Sequence, residues 1–318
     1  MPGTDPKDAT AIVAGELPEL PHVPELPARG AGADIIGRTA ALLTGLPVDL
    51  QPSGWRLTSR PGIDLHRAAS YLLQDLDVLQ EALEGHDGPV KVAVAGPWTL
   101  AASLQLPRGE PVLSDRGAVR DLQQALAEGV AQHLRDVQSR LPGCEVVLQL
   151  DEPGLLSVLQ GRVPSFSGAR TVRPVADNDA VVVLEQMVGT AARARVPVVV
   201  HSCAADVPVG MLVRAGVAGV SLDLTLVREE LDDALGEAIE SGVVLLAGVV
   251  PAAGGELSDA ATTVGPVRRL WSRLGLPAET MASGVVVTPT CGMAGASPGH
   301  AVRALRLARE AARTLADG

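Results

Sequence analysis

The stretch Pro197-Val-Val-Val-His201-Ser-Cys203 joins an uninterrupted apolar run to two residues that can bind a metal ion. Continuous apolar runs are typical of strands that are buried on both faces of a parallel sheet. Side chains alternate between the two faces of a strand, so His201 and Cys203 point the same way at the end of this run. An imidazole and a thiolate together are a ligand set that favours zinc. The stretch therefore predicts a parallel strand with a metal site at its end.

The same pattern recurs along the chain, because apolar runs alternate with segments whose apolar residues return at helical spacing. The predicted strands are 90–95, 145–150, 196–200, 219–222, 243–247 and 284–287, and the extended stretch 48–58 brings their number to seven. The predicted helices are 33–44, 64–85 (with Asp64 as N-cap and Gly85 as the stop), 116–141, 179–193, 207–215, 228–240, 262–274 and 299–315. Strands that alternate with helices in this way indicate an α/β fold of the (β/α)8 TIM barrel type.

The N-terminal segment breaks the pattern. Residues 1–30 are rich in Pro and Glu and have turn formers every few positions, so we predict a long loop. The helix at 33–44 is thus the only one that follows no strand. We expect the first strand to lie upstream of Met1 or to be absent, with its slot open or filled by the Pro-rich stretch. No linker divides the chain, and residues 1–318 are predicted to form one barrel domain.

Composition and charge exclude several classes of function. The chain has 26 Lys plus Arg against 37 Asp plus Glu, a formal charge of −11, and no basic stripe, which argues against a nucleic-acid partner. Its apolar runs are far shorter than the roughly 20 residues that span a bilayer, and residues 1–30 show no basic segment followed by an apolar one, as a signal peptide would. We expect a cytoplasmic protein without membrane contact. Three cysteines are too few for a disulfide framework and favour metal binding or catalysis.

Two further residues are candidate metal ligands. Cys291 follows the last predicted strand, and Asp223 follows the strand after His201 and Cys203. In a barrel these strand ends share one rim, which is where active sites lie. The alternatives are that Cys203 and Cys291 are small buried apolar residues, and that Asp223 caps the helix after it. Because two of the three cysteines fall at strand ends and one lies beside a histidine, we favour zinc.

Other strand ends carry candidate substrate contacts. Asp151 and Glu152 could pair with the ammonium group of an amino-acid substrate, or could cap a helix that starts at Pro153. Trp98 could form a stacking wall for a flat ligand or pack in the rim. Among the other histidines, His300 is of interest because the loop after Cys291 leads to it.

Taken together, these motifs resemble the C-terminal catalytic barrel of the cobalamin-independent methionine synthases, within the wider group of uroporphyrinogen decarboxylase-like barrels. The matching pieces are Leu-Asp-Glu-Pro at 150–153, His-x-Cys at 201–203, Gly-Val-Ser-Leu-Asp at 219–223, Thr-Pro-Thr-Cys-Gly at 288–292 and, more weakly, Gly-Pro-Trp-Thr at 96–99. Their order and approximate spacing agree over nearly the whole chain.

The resemblance implies a zinc ion held by His201, Cys203, Asp223 and Cys291, with Asp223 standing where the family has Glu. It also implies that Asp151 holds the amino group of homocysteine. The implied activity is that of a zinc-dependent methyltransferase of methionine biosynthesis, which methylates homocysteine from a methyltetrahydrofolate-type or methyl-corrinoid donor. Two alternatives stay open: corrinoid-linked methyl transfer to another thiol, and a non-catalytic barrel whose zinc site is structural or vestigial.

Overall fold

The computed structural model describes residues 1–317. Its strands are β1 (Val48–Gln51), β2 (Gly54–Leu57), β3 (Pro89–Ala95), β4 (Glu145–Asp151), β5 (Val198–Ser202), β6 (Gly219–Asp223), β7 (Val244–Val250) and β8 (Val285–Pro289). Strands β3 to β8 form one parallel sheet in the order in which they occur along the chain. The apolar runs thus become parallel strands, as the sequence predicts.

Helices lie between successive strands, which gives an α/β fold. They are α1 (Pro6–Glu16), α2 (Ile35–Ala40), α3 (Ile63–Ala82), α4 (Pro97–Ser103), α5 (Arg116–Arg140), α6 (Leu155–Leu159), α7 (Asp177–Arg193), α8 (Val209–Arg214), α9 (Asp232–Glu240), α10 (Ala260–Thr263), α11 (Gly265–Leu274), α12 (Met281–Gly284) and α13 (Pro298–Ala316). The segment predicted as one helix at 262–274 is divided into α10 and α11, with Pro266 in the first turn of α11. Asp64 lies in the first turn of α3, whose N-cap is Gly62.

The predicted eight-stranded barrel is realised only in part, because residues 1–317 contribute six strands to the parallel sheet. The stretch at 48–58, counted as a seventh strand, is a separate antiparallel hairpin of β1 and β2. Its two-residue turn ends at Gly54, which has a φ of 122° that glycine adopts without strain. Trp55 is buried in the hairpin.

The Pro-rich stretch lies beside β3, which fits the second of the two alternatives for the first strand slot, open or filled by this stretch. The Val23 N–H donates to the Lys91 carbonyl at 3.2 Å, and the Lys91 N–H donates to the Pro21 carbonyl at 2.9 Å. Proline has no N–H to donate, and the backbone of Pro21 faces β3, so Pro21 limits the ladder to this short contact.

The prediction that residues 1–30 form only a loop is wrong, because α1 lies within them. The Asp5 carboxylate accepts two backbone N–H groups of the first turn at 2.8 and 3.3 Å, and Pro6 is the first helical residue. Ala9 and Val13 are buried where α1 packs between α3 and α13. Among residues 1–317, no helix has both the length and the apolarity to cross a membrane.

The two faces of the parallel sheet differ in polarity. One face is apolar and fully buried, as at Val92, Leu148 and Val200. Alternation along the strands gives the other face a row of polar residues: Lys91, Gln149, Asp151, His201 and Ser221. The carboxyl ends of the strands on this polar face are where the candidate site lies.

Candidate metal centre and substrate site

Side chains from the ends of two strands that are far apart in sequence, β5 and β8, come together at this edge of the sheet. The Cys203 sulfur lies 3.0 Å from Nε2 of His201 and 2.9 Å from the sulfur of Cys291, and the Cys291 sulfur lies 4.0 Å from the same nitrogen. All three ligand atoms lie within 4.8 Å of one another, so one ion can bind all of them. The structure therefore brings together three of the four residues that the sequence predicts as metal ligands.

Ser221 orients the imidazole of His201. Nδ1 lies 3.1 Å from the Ser221 carbonyl oxygen and 3.0 Å from its hydroxyl. A carbonyl only accepts hydrogen bonds, so Nδ1 carries a proton, and Nε2, which faces the two thiols, is the nitrogen that could bind a metal ion. Metal-bound histidines are typically oriented by such a second hydrogen bond. One nitrogen and two sulfurs with this support fit a zinc ion.

The two thiols are hydrogen-bonded to each other, and this contact shifts their pKa values in opposite directions. The hydrogen bond from Cys203, and then the one from His201, lowers the pKa of Cys291 to about 4. The same pairing raises the pKa of Cys203, with burial as the second cause. The pair thus readily carries one negative charge, which suits a cation.

Asp223 lies at the end of β6, as predicted, but outside the cluster of three. Its Oδ1 accepts the Thr225 N–H at 2.9 Å and the Thr225 hydroxyl at 2.6 Å, which closes a local turn. Of the two alternatives for Asp223, metal ligand or helix cap, this arrangement is closer to the cap. The hydrogen-bonded turn nevertheless lies before the helix and not at its N-cap. Its role as a ligand stays a prediction.

Asp151 is 7% exposed and lies opposite His201 in the β4–β5 register. Its Oδ1 accepts the side-chain amide of Gln149 at 2.7 Å. Burial raises the pKa of Asp151, against the opposing effect of nearby positive groups, first His201 and then Lys91. A buried carboxylate next to the thiol cluster is suited to pair with a cationic part of a ligand.

Glu152 and Trp98, which the sequence offers as substrate contacts, are both buried against other parts of the protein. Glu152 is fully buried and accepts the backbone N–H groups of Trp98 (2.9 Å) and Thr99 (2.8 Å) and the Thr99 hydroxyl (2.7 Å), so it caps α4. The Trp98 indole is 3% exposed and donates to the Ala180 carbonyl at 3.3 Å. Trp98 thus packs in the core, which is close to the packing alternative, and substrate contact by Trp98 or Glu152 stays a prediction.

His300 is also buried, at the start of α13. Its Nε2 lies 2.9 Å from the Pro251 carbonyl, to which it donates. This contact ties α13 to the loop after β7, and His300 takes no part in the thiol cluster.

Sequence reasoning missed three polar residues around Asp151. Lys91 and Gln149 lie within strands and not at their ends, while Glu25 comes from the Pro-rich stretch. Burial raises the pKa of Glu25, and the negative charge of Asp151 acts in the same direction. The alternation of side chains along a strand could have revealed two of them. Lys91 and Gln149 interrupt apolar runs at positions that share a face with the site.

Comparisons with known proteins identify the family and the fold. The family model for the catalytic domain of the cobalamin-independent synthases matches residues 77–314. The chain belongs to this family. The matched region contains His201, Cys203, Asp223 and Cys291, together with Asp151.

Among solved structures, a B12-independent methionine synthase from Shewanella sp. W3-18-1, in complex with selenomethionine, is similar to the chain. It has a TM-score of 0.59 and 13% identity, and the match covers 98% of this chain and 88% of that one. This likeness concerns the fold. A D-psicose 3-epimerase matches with a TM-score of 0.41 and 11% identity over 79% of this chain and 85% of that one. No curated protein matches the sequence significantly.

Proposed function

We propose that the protein is a zinc-dependent methyltransferase that methylates the thiol of homocysteine to form methionine. The observation that carries this proposal is the cluster of His201, Cys203 and Cys291, whose ligand atoms lie within 4.8 Å of one another beside the buried Asp151. Membership of the cobalamin-independent synthase family supports it. We assign the activity to residues 1–318 as one domain, since one cluster of buried apolar side chains runs from α1 to α13.

His201, Cys203 and Cys291 would hold the zinc ion, and Asp223 would be the fourth ligand once its carboxylate leaves Thr225. The bound metal would supply one effect: it lowers the pKa of a thiol substrate, which is about 8.5 in free cysteine, so that the thiol is deprotonated at neutral pH. Ser221 keeps Nε2 of His201 aimed at the metal position through its bonds to Nδ1.

Asp151 binds the amino group of the substrate in this proposal. Gln149 holds one carboxylate oxygen at 2.7 Å, which leaves Oδ2 to accept a hydrogen bond from the ammonium group. Hydrogen bonds between ions of opposite charge are roughly twice as strong as neutral ones. Asp151 thereby fixes the substrate so that its sulfur reaches His201, Cys203 and Cys291.

The methyl donor is a methyltetrahydrofolate-type compound or a methyl-corrinoid. The deciding experiment incubates zinc-loaded protein with homocysteine and each donor in turn and measures methionine. Homocysteine should also add one sulfur neighbour to the zinc X-ray absorption edge. A spectrum that is indifferent to homocysteine, in a protein that binds zinc stoichiometrically, would favour a structural zinc site.

A further inference from the structure

Lys91 is an unusual residue in this chain. Only two of the 26 basic residues are lysines, Lys7 and Lys91. Lys7 is on the surface, with a side chain 70% exposed, whereas Lys91 lies inside the otherwise apolar strand β3 on the polar face of the sheet. Removing an ammonium group from water is costly unless it is paired and hydrogen-bonded. The contacts of Lys91 therefore indicate why it is there.

Those contacts form a relay to Asp151. Lys91 Nζ donates to Oε1 of Gln149 at 2.9 Å, and Nε2 of Gln149 donates to Oδ1 of Asp151 at 2.7 Å. An ammonium group only donates and a carboxylate only accepts, so the two ends of the relay permit one orientation of the amide. Lys91 thus fixes Gln149, and Gln149 fixes the Asp151 carboxylate.

The relay leaves part of Asp151 available. Within residues 1–317, no protein donor lies within hydrogen-bonding distance of Oδ2, while the β4–β5 register sets Asp151 opposite His201. A lysine bonded directly to Asp151 would compete with a substrate ammonium group for that carboxylate. Because the amide of Gln149 stands between them, Lys91 orients the carboxylate without covering it.

We propose that Lys91 and Gln149 are positioning residues that aim Asp151 at the amino group of the thiol substrate and so select thiols that carry an amine. This inference rests on the proposed function, since it assumes that the thiol binds at His201, Cys203 and Cys291. It gives two side chains that lie within strands a role in substrate selectivity.

The test compares two thiols that differ in the amine alone, homocysteine and 4-mercaptobutanoate, by calorimetry on zinc-loaded protein. Wild-type protein should bind homocysteine at least about tenfold more tightly, as expected for one charge-assisted hydrogen bond. Lys91→Met should bring this ratio close to one and leave the affinity for 4-mercaptobutanoate unchanged. Lys91→Arg, which keeps a donor, should restore part of the ratio, and Lys7→Met should leave it at the wild-type value.

The outcomes separate the two claims. Failure of the wild-type protein to bind either thiol counts against the proposed function and this inference together. Equal binding of both thiols by wild-type protein, or an unchanged ratio in a folded Lys91→Met protein, overturns the inference alone. If Lys91→Met does not fold, Gln149→Met removes the amide and keeps a side chain of similar length. It should lose the preference for homocysteine, and an unchanged ratio in that protein overturns the inference as well.

Discussion

Cys203 Sγ lies 2.9 Å from Cys291 Sγ, although Cys203 follows β5, Cys291 follows β8, and two strands of the sheet lie between. Neighbouring strands in a sheet are about 4.8 Å apart, so side chains three strands away from each other cannot meet across a flat sheet. The contact therefore requires a curved sheet whose polar face is concave. Curvature brings the ends of β5 and β8 together, so that their side chains form one ligand set.

Replacing one thiol of this pair should remove the metal site. Cys291→Ser leaves His201 and Cys203, and we expect a loss of zinc affinity larger than the roughly 10–100-fold that follows loss of a residue outside the ligand set. Competition with a chromophoric chelator measures it. The matched control is Cys144→Ser, since the Cys144 sulfur lies outside the cluster, 3.3 Å from the His86 carbonyl oxygen. Equal zinc affinity in the two variants would contradict the proposed centre.

The hydroxyl of Ser221 should contribute less to metal affinity than the thiols. In Ser221→Ala the backbone carbonyl, 3.1 Å from Nδ1 of His201, still accepts the imidazole proton, while the hydroxyl at 3.0 Å is lost. Because one of the two partners persists, we expect zinc affinity to fall by less than about tenfold. The same chelator titration measures it. A fall of about a hundredfold would mean that the hydroxyl, and not the carbonyl, sets the orientation of His201.

The strands and the thiol cluster could be predicted from the sequence because buried parallel strands leave continuous apolar runs. The direction of side chains at the strand ends was harder to predict. Asp151 and Glu152 are adjacent, so they point in opposite directions, Asp151 towards His201 and Glu152 towards the N-terminus of α4. Alternation allows only one of them to face the site, and the sequence pattern alone does not say which.

The departures from a closed barrel also have local physical causes. Pro21, in the stretch beside β3, has no N–H to donate, so this stretch forms a short contact where the fold class predicts a full strand. Helix α1 was not predicted because it is short and lies among turn formers. The signal for it in the sequence was the N-cap residue Asp5 followed by Pro6. Lys91 and Gln149 were missed because polar residues were sought at strand ends and not within strands.

The close approach of Gly96 to Glu152 predicts a stability effect. A Cβ atom at position 96 would lie 2.4 Å from the Glu152 carboxyl group, which is itself held by three hydrogen bonds. We expect Gly96→Ala to lower the free energy of unfolding by about 1–3 kcal/mol, as for other overpacked sites. Urea denaturation measures this change.

A matched glycine provides the control for that substitution. Gly15 lies within α1, and a Cβ atom there would meet no other residue within 4 Å. Gly15→Ala should raise the free energy of unfolding by roughly 0.5–1 kcal/mol, since alanine is the better helix former. Equal effects of the two substitutions would show that the contact with Glu152 is easily relieved.

Glu152 should make the stability of the protein depend on pH in a direction opposite to that of most carboxylates. Burial raises its pKa from an ordinary 4.5 to about 7, in spite of the hydrogen bonds from Thr99 and Trp98. Between these two values the folded protein keeps a proton that the unfolded chain has lost. The contribution of Glu152 to stability is therefore present below pH 4.5 and is lost as the pH rises to about 7, by up to about 1.4 kcal/mol per pH unit.

Glu152→Gln removes this titration and leaves the other ionisable groups in place. Its amide also puts an N–H group near the donors of α4, so we expect it to be less stable than wild-type protein at pH 5 by roughly 1–3 kcal/mol. The difference between the two proteins should shrink as the pH rises from 5 to 7, because only the wild-type protein loses the proton-linked contribution. Guanidinium unfolding curves at several pH values measure it. A difference that stays constant or grows over this range would mean that the three hydrogen bonds outweigh burial and keep Glu152 ionised.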